Sequence, residues 1–170
     1  MPKLTLRSAT AALAGILIAI GGCTESPLTP AGGEMLTRSH ATRFDVSGTA
    51  SEVIGPAGGM LVTPAGDRLI FPAGVLAEPT RITLTSSNAN VSVEIEPHGL
   101  QFAAGRQPVL VLNTQGSNAG SFRRVDVSYL DDSGAILEIL PSMAGGGTIS
   151  TTLQHFSTYA AFGGLIATGH

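Results

Sequence analysis

The sequence has one cysteine, no tryptophan and a single lysine, and its net charge is −3. With Cys23 as the only thiol, no disulfide can form within the chain. The absence of tryptophan and the presence of only two tyrosines leave few flat aromatic surfaces for sugar rings, which disfavours binding of carbohydrates or envelope polymers. A mildly acidic chain with one lysine also disfavours nucleic acid as a partner.

The first 22 residues have the pattern of an export signal. Lys3 and Arg7 lie in the first eight residues without an acid, and residues 9–20 are apolar except for one threonine. This run is shorter than the about 20 residues that a membrane-spanning helix needs. It ends in Ile20-Gly21-Gly22-Cys23, which resembles the lipobox of bacterial lipoproteins, and predicts cleavage between Gly22 and Cys23 and lipidation of Cys23. The alternative is an ordinary signal peptide with an incidental cysteine.

The predicted anchor places the protein in the cell envelope. Two or three acyl chains on Cys23, palmitate among them, hold a protein durably on a bilayer, whereas one chain does not. Because the following residue is Thr24 rather than Asp, resemblance to known sorting rules favours the outer membrane. Loss of the signal leaves seven arginines and twelve acids, so the mature net charge is −5. This charge argues against anionic lipid headgroups as partners and assigns the anchoring to the lipid.

Residues 23–43 are expected to be the lipidated cysteine followed by a flexible tether, because they are rich in Pro, Gly, Ser and Thr and have no helical or strand period. Residues 44–170 are expected to form one domain. Here short runs of Val, Ile, Thr and Leu alternate with polar residues, as in half-buried antiparallel strands. The clearest runs are Arg81–Thr85, Val91–Glu96 and Val125–Tyr129.

Turn residues separate these runs. Asp131-Asp132-Ser133-Gly134 predicts a hairpin loop, and Pro64-Ala65-Gly66-Asp67 predicts a second turn between two strands. Eight to ten strands in about 125 residues suffice for one two-layer core. The sequence therefore predicts an all-β protein with a single antiparallel β-sandwich.

Three stretches resemble the ZU-five domain family, which is shared by zonula occludens proteins, netrin receptors and ankyrins. They are Ile54–Leu61, with the double glycine Gly58-Gly59; Leu69–Leu76, with Phe71-Pro72; and Val93–Phe102 followed by Pro108–Leu112. The resemblance extends over residues 51–113 and is looser beyond. It implies a β-sandwich that serves as a protein-interaction or spacer module, and the large rings of Phe71 and Phe102 are expected to fill its core.

The segment His155-Phe156-Ser157-Thr158-Tyr159 is the candidate for chemistry. It resembles a His-Phe-Ser site at which some proteins carrying ZU-five modules cut their own chain. That resemblance implies attack of the Ser157 hydroxyl on the Phe156 carbonyl, assisted by His155, on a strained peptide bond. The alternative is an ordinary final strand, with Phe156, Thr158, Ala160 and Phe162 on one face and Ser157, Tyr159 and Ala161 on the other.

Neither a metal nor a cofactor is expected. His40, His98, His155 and His170 lack metal-ligand spacing, and the glycines Gly145–Gly147 precede neither a lysine nor a helix. The leading hypothesis is an exported, lipid-anchored protein with a non-catalytic binding or structural module, whose partners are the membrane, through Cys23, and an envelope protein rather than a small-molecule substrate. The alternative is the same module undergoing autoproteolysis between Phe156 and Ser157.

Overall fold

A computed structural model describes residues 33–39 and 48–164 of the chain. In these ranges there are twelve strands and one short 3-10 helix, Asn118–Ser121, and no helix there has the length and apolarity to cross a membrane. The strands are β1 Glu34–Met35, β2 Thr49–Ile54, β3 Gly59–Val62, β4 Arg68–Phe71, β5 Thr80–Ser86, β6 Ser92–Glu96, β7 Val109–Asn113, β8 Val125–Leu130, β9 Ile136–Leu140, β10 Met143–Gly145, β11 Thr148–Thr152 and β12 Thr158–Gly163.

The strands form two antiparallel sheets. One sheet has the order β2-β5-β6-β12-β8-β9, with β1 also paired to β12, and the other has the order β10-β11-β7-β4-β3. At the two lateral edges of the sandwich, the chain passes from one sheet to the other between β2 and β3 and between β9 and β10. The predicted all-β sandwich is therefore confirmed, with more strands than the sequence indicated.

The core lies between the sheets and is built from the apolar faces of strands in which apolar and polar residues alternate. In β5 and β6 the side chains of Ile82, Leu84, Val93 and Ile95 are at most 2% exposed, and their polar neighbours lie on the other face. Both predicted turns are also present. Gly66 and Gly134 adopt positive φ angles of 83° and 82°, the left-handed conformation for which glycine is suited.

The N-terminal boundary of the domain differs from the prediction. The segment Gly33–Ser39, here called the arm, lies within the stretch 23–43 that we expected to be a flexible tether. Instead, Glu34 and Met35 pair with the end of β12, and Leu36 is completely buried in the core. The backbone amide of Leu36 donates to the carbonyl of Ala161 at 2.8 Å. The remainder of the predicted tether, the predicted signal 1–22 and Cys23 lie outside the described residues.

Strand β8 is buried on both faces, which corrects the prediction of one polar face. Asp126 and Ser128 are 3% and 0% exposed. A second, smaller apolar cluster forms on this side of the larger sheet from Leu130, Ala160 and Phe162, with Met35, Ile136 and Ile139 packed against it. Polar residues at alternate positions therefore did not mark a solvent-facing surface in this strand.

Candidate functional site

The segment from Leu153 to Ser157 carries the chain from β11 in the smaller sheet to β12 in the larger one. Its backbone pairs with the residues before β7: the amide of Phe102 donates to the Gln154 carbonyl at 2.7 Å, and the amide of Phe156 donates to the Leu100 carbonyl at 2.9 Å. His155 and Gln101 form an isolated antiparallel bridge. The predicted site is therefore a crossover held by a second chain segment.

His155 is held by two tyrosines. The hydroxyl of Tyr159 donates to the backbone carbonyl of His155 at 2.6 Å and lies 3.3 Å from Nδ1 of the same residue. The ring of Tyr129 meets the imidazole edge to face, with 4.6 Å between centroids. A tyrosine whose hydroxyl bonds back to the backbone a few residues upstream is the tyrosine corner of β-sandwich folds. This contact gives the motif a structural role at the corner.

Tyr159 is 1% exposed, and its surroundings keep the phenol protonated. Burial raises the pKa of the Tyr159 hydroxyl well above its ordinary value, and the nearby Tyr129 and Glu138 raise it further because a phenolate would be repelled there. A protonated phenol can donate to the His155 carbonyl at any ordinary pH. The hydrogen bond from Tyr159 to the His155 carbonyl is therefore not lost through ionisation of the phenol in this range.

Phe156 fills the core rather than lining a reactive cleft. Its side chain is 1% exposed and meets Phe102 and Phe71 edge to face, with centroid distances of 5.0 and 6.0 Å. The expectation that Phe71 fills the core is confirmed, whereas Phe102 is only half buried and packs against the core from its edge.

The predicted alternation through this segment is wrong at one position. Phe156 belongs to the main core together with Tyr159 and Ala161, whereas Ala160 and Phe162 belong to the second cluster. Phe156 and Phe162 therefore do not share a face. The cause is a bend at Ser157, since β12 and its regular alternation begin only at Thr158.

Both carbonyls around the Phe156–Ser157 bond have hydrogen-bond donors. The Gly99 amide donates to the Phe156 carbonyl at 3.0 Å, and the Ile95 amide donates to the Ser157 carbonyl at 3.0 Å. A general base must lie within about 3.2 Å of the hydroxyl it deprotonates, directly or through one water. The imidazole contacts of His155 are instead those with Tyr129 and Tyr159. Thus the structure brings His155, Phe156 and Ser157 into one crossover and directs the imidazole of His155 to the tyrosines.

A buried polar network at the other end of the sandwich was missed by the sequence analysis. The guanidinium of Arg38 in the arm donates to the Asp67 carboxylate at 2.8 Å and to the carbonyls of Ser87, Asn90 and Asn113 at 3.1–3.2 Å. Asp67 also accepts hydrogen bonds from the Ser86 hydroxyl at 2.5 Å and from the backbone amide of Asn113 at 2.7 Å. The apolar pair Met35-Leu36 within a polar stretch was a sequence signal that the arm is buried, but it did not indicate the ion pair.

Among residues 33–39 and 48–164, no three His, Cys, Asp or Glu side chains converge in a way that could hold a metal ion. His98 lies in the turn after β6, where its imidazole Nε2 is 3.4 Å from the exposed carboxylate of Glu94. His40 and His170 lie outside the described ranges. The residues found together at the crossover are therefore aromatic and hydroxyl groups rather than metal ligands.

The fold and the crossover define an all-β sandwich protein with a tyrosine corner and a buried ion pair that fixes its N-terminal arm. A comparison with protein-family models gives no match, and a comparison with curated proteins finds none that is significantly similar.

Proposed function

We propose that this chain is an exported lipoprotein, anchored through acylated Cys23, whose β-sandwich is a non-catalytic binding or structural module. The resemblance of residues 51–113 to ZU-five domains supports the choice of an interaction or spacer module. Thr24 supports an outer-membrane location, and the partner that we propose beyond the membrane is an envelope protein.

The observation that carries this proposal is the way in which the chain enters the fold. The arm begins ten residues after Cys23, and it is fixed by Leu36 in the core and by Arg38 in the buried ion pair with Asp67. Because any load on the anchor would act first on the arm, these buried contacts would resist its detachment from the domain. The arrangement suits a protein that works while tethered.

The contacts of the motif at residues 155–159 support a non-catalytic module. The hydroxyl of Tyr159 engages the backbone of His155, and Phe156 packs between two further phenylalanine rings. These contacts account for the histidine, phenylalanine and tyrosine as corner and core residues. A hydrolytic role is not needed to explain the motif.

The test is the intact mass of the protein extracted from the membrane fraction, for the wild type and for Cys23→Ser. We expect the wild type to lack residues 1–22 and to carry the added mass of acyl chains. The serine variant should retain the signal and carry no lipid. A wild-type chain that begins at another residue, or that carries no acyl group, overturns the proposal.

Self-cleavage between Phe156 and Ser157 is the second candidate. The observation that favours it is the hydrogen bond from the Gly99 amide to the Phe156 carbonyl, since a donor at that oxygen would stabilise the charge that develops during attack. The engagement of the His155 imidazole by Tyr129 and Tyr159 disfavours it. The masses of the wild type and of the Ser157→Ala variant separate the two candidates.

A further inference from the structure

The sandwich has two distinct ends along its strands. At one end, here called the arm end, Glu34 pairs with Gly163, which in turn pairs with Val125 at the start of β8. At the other end, here called the far end, Thr158 pairs with Leu130 at the end of β8 and with Glu94 of β6. The six residues of β8 separate the two ends by about 20 Å.

Two adjacent arginines are exposed at the arm end, and one of them forms no ion pair with a carboxylate in the part of the chain that the structure describes. Arg123 and Arg124 lie directly before β8 and are both exposed. Arg124 donates two hydrogen bonds, of 2.7 and 3.0 Å, to the carboxylate of Asp126, which is almost fully buried, and this contact raises the pKa of Arg124. Among residues 33–39 and 48–164, the exposed acid at this end is Glu34, whose carboxylate accepts a hydrogen bond from the side-chain amide of Asn118.

Five of the ten acids in the described residues lie at or near the far end. Asp131 and Asp132 form the turn after β8, Glu94 and Glu96 lie on β6, and Glu138 is paired across the strands with Tyr129. All except the half-buried Asp131 are exposed. The arginines near this end are Arg81 and Arg106. The net charge of −5 argued against anionic headgroups as partners. The acids that produce it are unevenly distributed, and the far end carries more of the exposed ones than the arm end.

The length of chain between the anchor and the fold restricts which end can reach the membrane. Only residues 24–32 separate Cys23 from the arm. Nine residues span at most about 30 Å and average about 17 Å if flexible. Because the arm enters beside Gly163 and Asn118, the arm end is the part of the domain nearest to the anchor. A flexible segment of this length also samples shorter separations than its average, and in these the charges at the arm end lie within the about 10 Å over which a surface potential decays.

We propose that the arm end is a docking surface for the anionic headgroups of the bilayer that holds the anchor. Arg123 and Arg124 line an open groove of about 530 Å³ together with the 3-10 helix and the turn between β10 and β11. An arginine near an anionic membrane surface strengthens binding about fivefold. The acidic far end is repelled by the same surface, so the domain is oriented with its far end outward. This inference rests on the proposed lipid anchor.

The experiment uses the acylated protein in vesicles of neutral lipid and in vesicles with anionic lipid added. A cysteine is introduced either at Ser121, on the 3-10 helix, or at Ala135, in the far-end turn, and is labelled with a fluorophore. Both positions are exposed, and the Cys23 thiol is blocked by its lipid. Energy transfer to an acceptor in the bilayer then measures the distance of each end from the membrane.

The charge at the arm end is tested with Arg123→Gln, which leaves the Arg124–Asp126 pair intact. Arg106→Gln is the matched control, because it removes the same charge from an exposed residue at the far end. In anionic vesicles we expect strong transfer from position 121 and weak transfer from position 135. Arg123→Gln or added salt should reduce the transfer from position 121, by up to about fivefold in the docked population, while Arg106→Gln should not.

Equal transfer from both positions, or equal effects of the two arginine variants, overturns the docking surface while leaving the lipoprotein proposal standing. If Cys23 itself reacts with the dye and the protein does not float with vesicles, the anchor is absent and both proposals fail. Transfer from position 121 that is the same in neutral and anionic vesicles assigns the orientation to the tether alone and also overturns the role of the arginines.

Discussion

The guanidinium of Arg38 and the carboxylate of Asp67 are joined at 2.8 Å although Arg38 precedes the first long strand by eleven residues, and their side chains are 2% and 0% exposed. All contacts of this pair are internal: three carbonyls accept from Arg38, and a hydroxyl and an amide donate to Asp67. The pair therefore connects the arm to both sheets, since Asp67 precedes β4 and Ser86 ends β5.

Replacing Arg38 by Ala should destabilise the domain by about 3–5 kcal/mol, because the Asp67 carboxylate would remain buried without its cation. Urea unfolding of the soluble domain, starting at Gly33 and followed by circular dichroism, measures this change. The exposed Arg81 provides the control, and Arg81→Ala should shift the free energy of unfolding by no more than about 0.5 kcal/mol. A loss below 1 kcal/mol for Arg38→Ala contradicts the buried pair.

The double variant Arg38→Met with Asp67→Asn separates the charge from the packing. The asparagine at position 67 can still accept a hydrogen bond from the backbone amide of Asn113, and neither side chain of the pair carries a charge. Part of the stability that is lost in Arg38→Ala should therefore return. If the free-energy loss of the double variant equals the sum of the losses of Arg38→Met and Asp67→Asn, the electrostatic explanation is wrong. In that case the loss comes from the packing of the arm.

Leu36 tests the domain boundary directly. Leu36→Ala should cost about 2–5 kcal/mol, as expected for a completely buried leucine, whereas Thr37→Ala at the next, exposed position should cost little. In the same assay, a chain that starts at residue 44 should unfold at clearly lower urea concentration than one that starts at residue 33. Equal midpoints for the two chains would show that the arm contributes nothing.

Much of the fold could be predicted because local rules were sufficient for it. In β5 and β6, strict alternation matched strands with one face on the core, and the turns at Gly66 and Gly134 need a residue that tolerates positive φ. Pro72 follows the last residue of β4, as expected from a residue that cannot donate to a ladder. These features depend on neighbours in sequence.

The features that could not be predicted depend on partners that are distant in sequence. The arm has too few apolar residues to show a period, and its order comes from Ala161 and Asp67. Asp126 and Ser128 look solvent-facing in the sequence but are covered, with Asp126 paired to Arg124. The position of Phe156 was misjudged because alternation was extended through the bend at Ser157. Alternation cannot show where a strand begins.

The tyrosine corner predicts a specific loss in Tyr159→Phe. This change removes the hydroxyl that donates to the part-buried His155 carbonyl at 2.6 Å and leaves that acceptor without this donor, which should cost about 1 kcal/mol. Tyr129→Phe is the matched control, because Tyr129 contacts His155 through its ring and should lose less. Thermal unfolding of both variants measures the difference, and equal losses would argue against the corner.

The mass of the denatured domain tests whether the chain cuts itself. The contacts of His155 with Tyr129 and Tyr159 lead us to expect one undivided chain for both the wild type and Ser157→Ala. Each sample is held at neutral pH for several days before measurement. A wild-type sample divided between Phe156 and Ser157, with the alanine variant intact, would establish autoproteolysis and replace the non-catalytic proposal.

The turn between β8 and β9 predicts how stability depends on acid. One carboxylate oxygen of Asp131 accepts hydrogen bonds from the Ser133 hydroxyl, the Ser133 amide and the Ala135 amide at 2.6–2.9 Å. The bond from the Ser133 hydroxyl contributes most to lowering the pKa of Asp131 below its ordinary value near 3.8. A group whose pKa is lowered by folding adds stability above its unfolded pKa, and that contribution is lost as the pH falls through the folded pKa.

Asp131→Asn keeps an oxygen that can accept these bonds but carries no charge to titrate. We therefore expect the variant to be slightly less stable than the wild type at neutral pH, and this difference should shrink as the pH falls below about 4. Asp132→Asn changes the net charge equally but leaves the Asp131 carboxylate in place, so its stability should fall with pH as that of the wild type does. Urea midpoints between pH 2 and pH 7 measure the three curves. If the curves of the two variants coincide across that range, folding does not lower the pKa of Asp131 and the prediction is wrong.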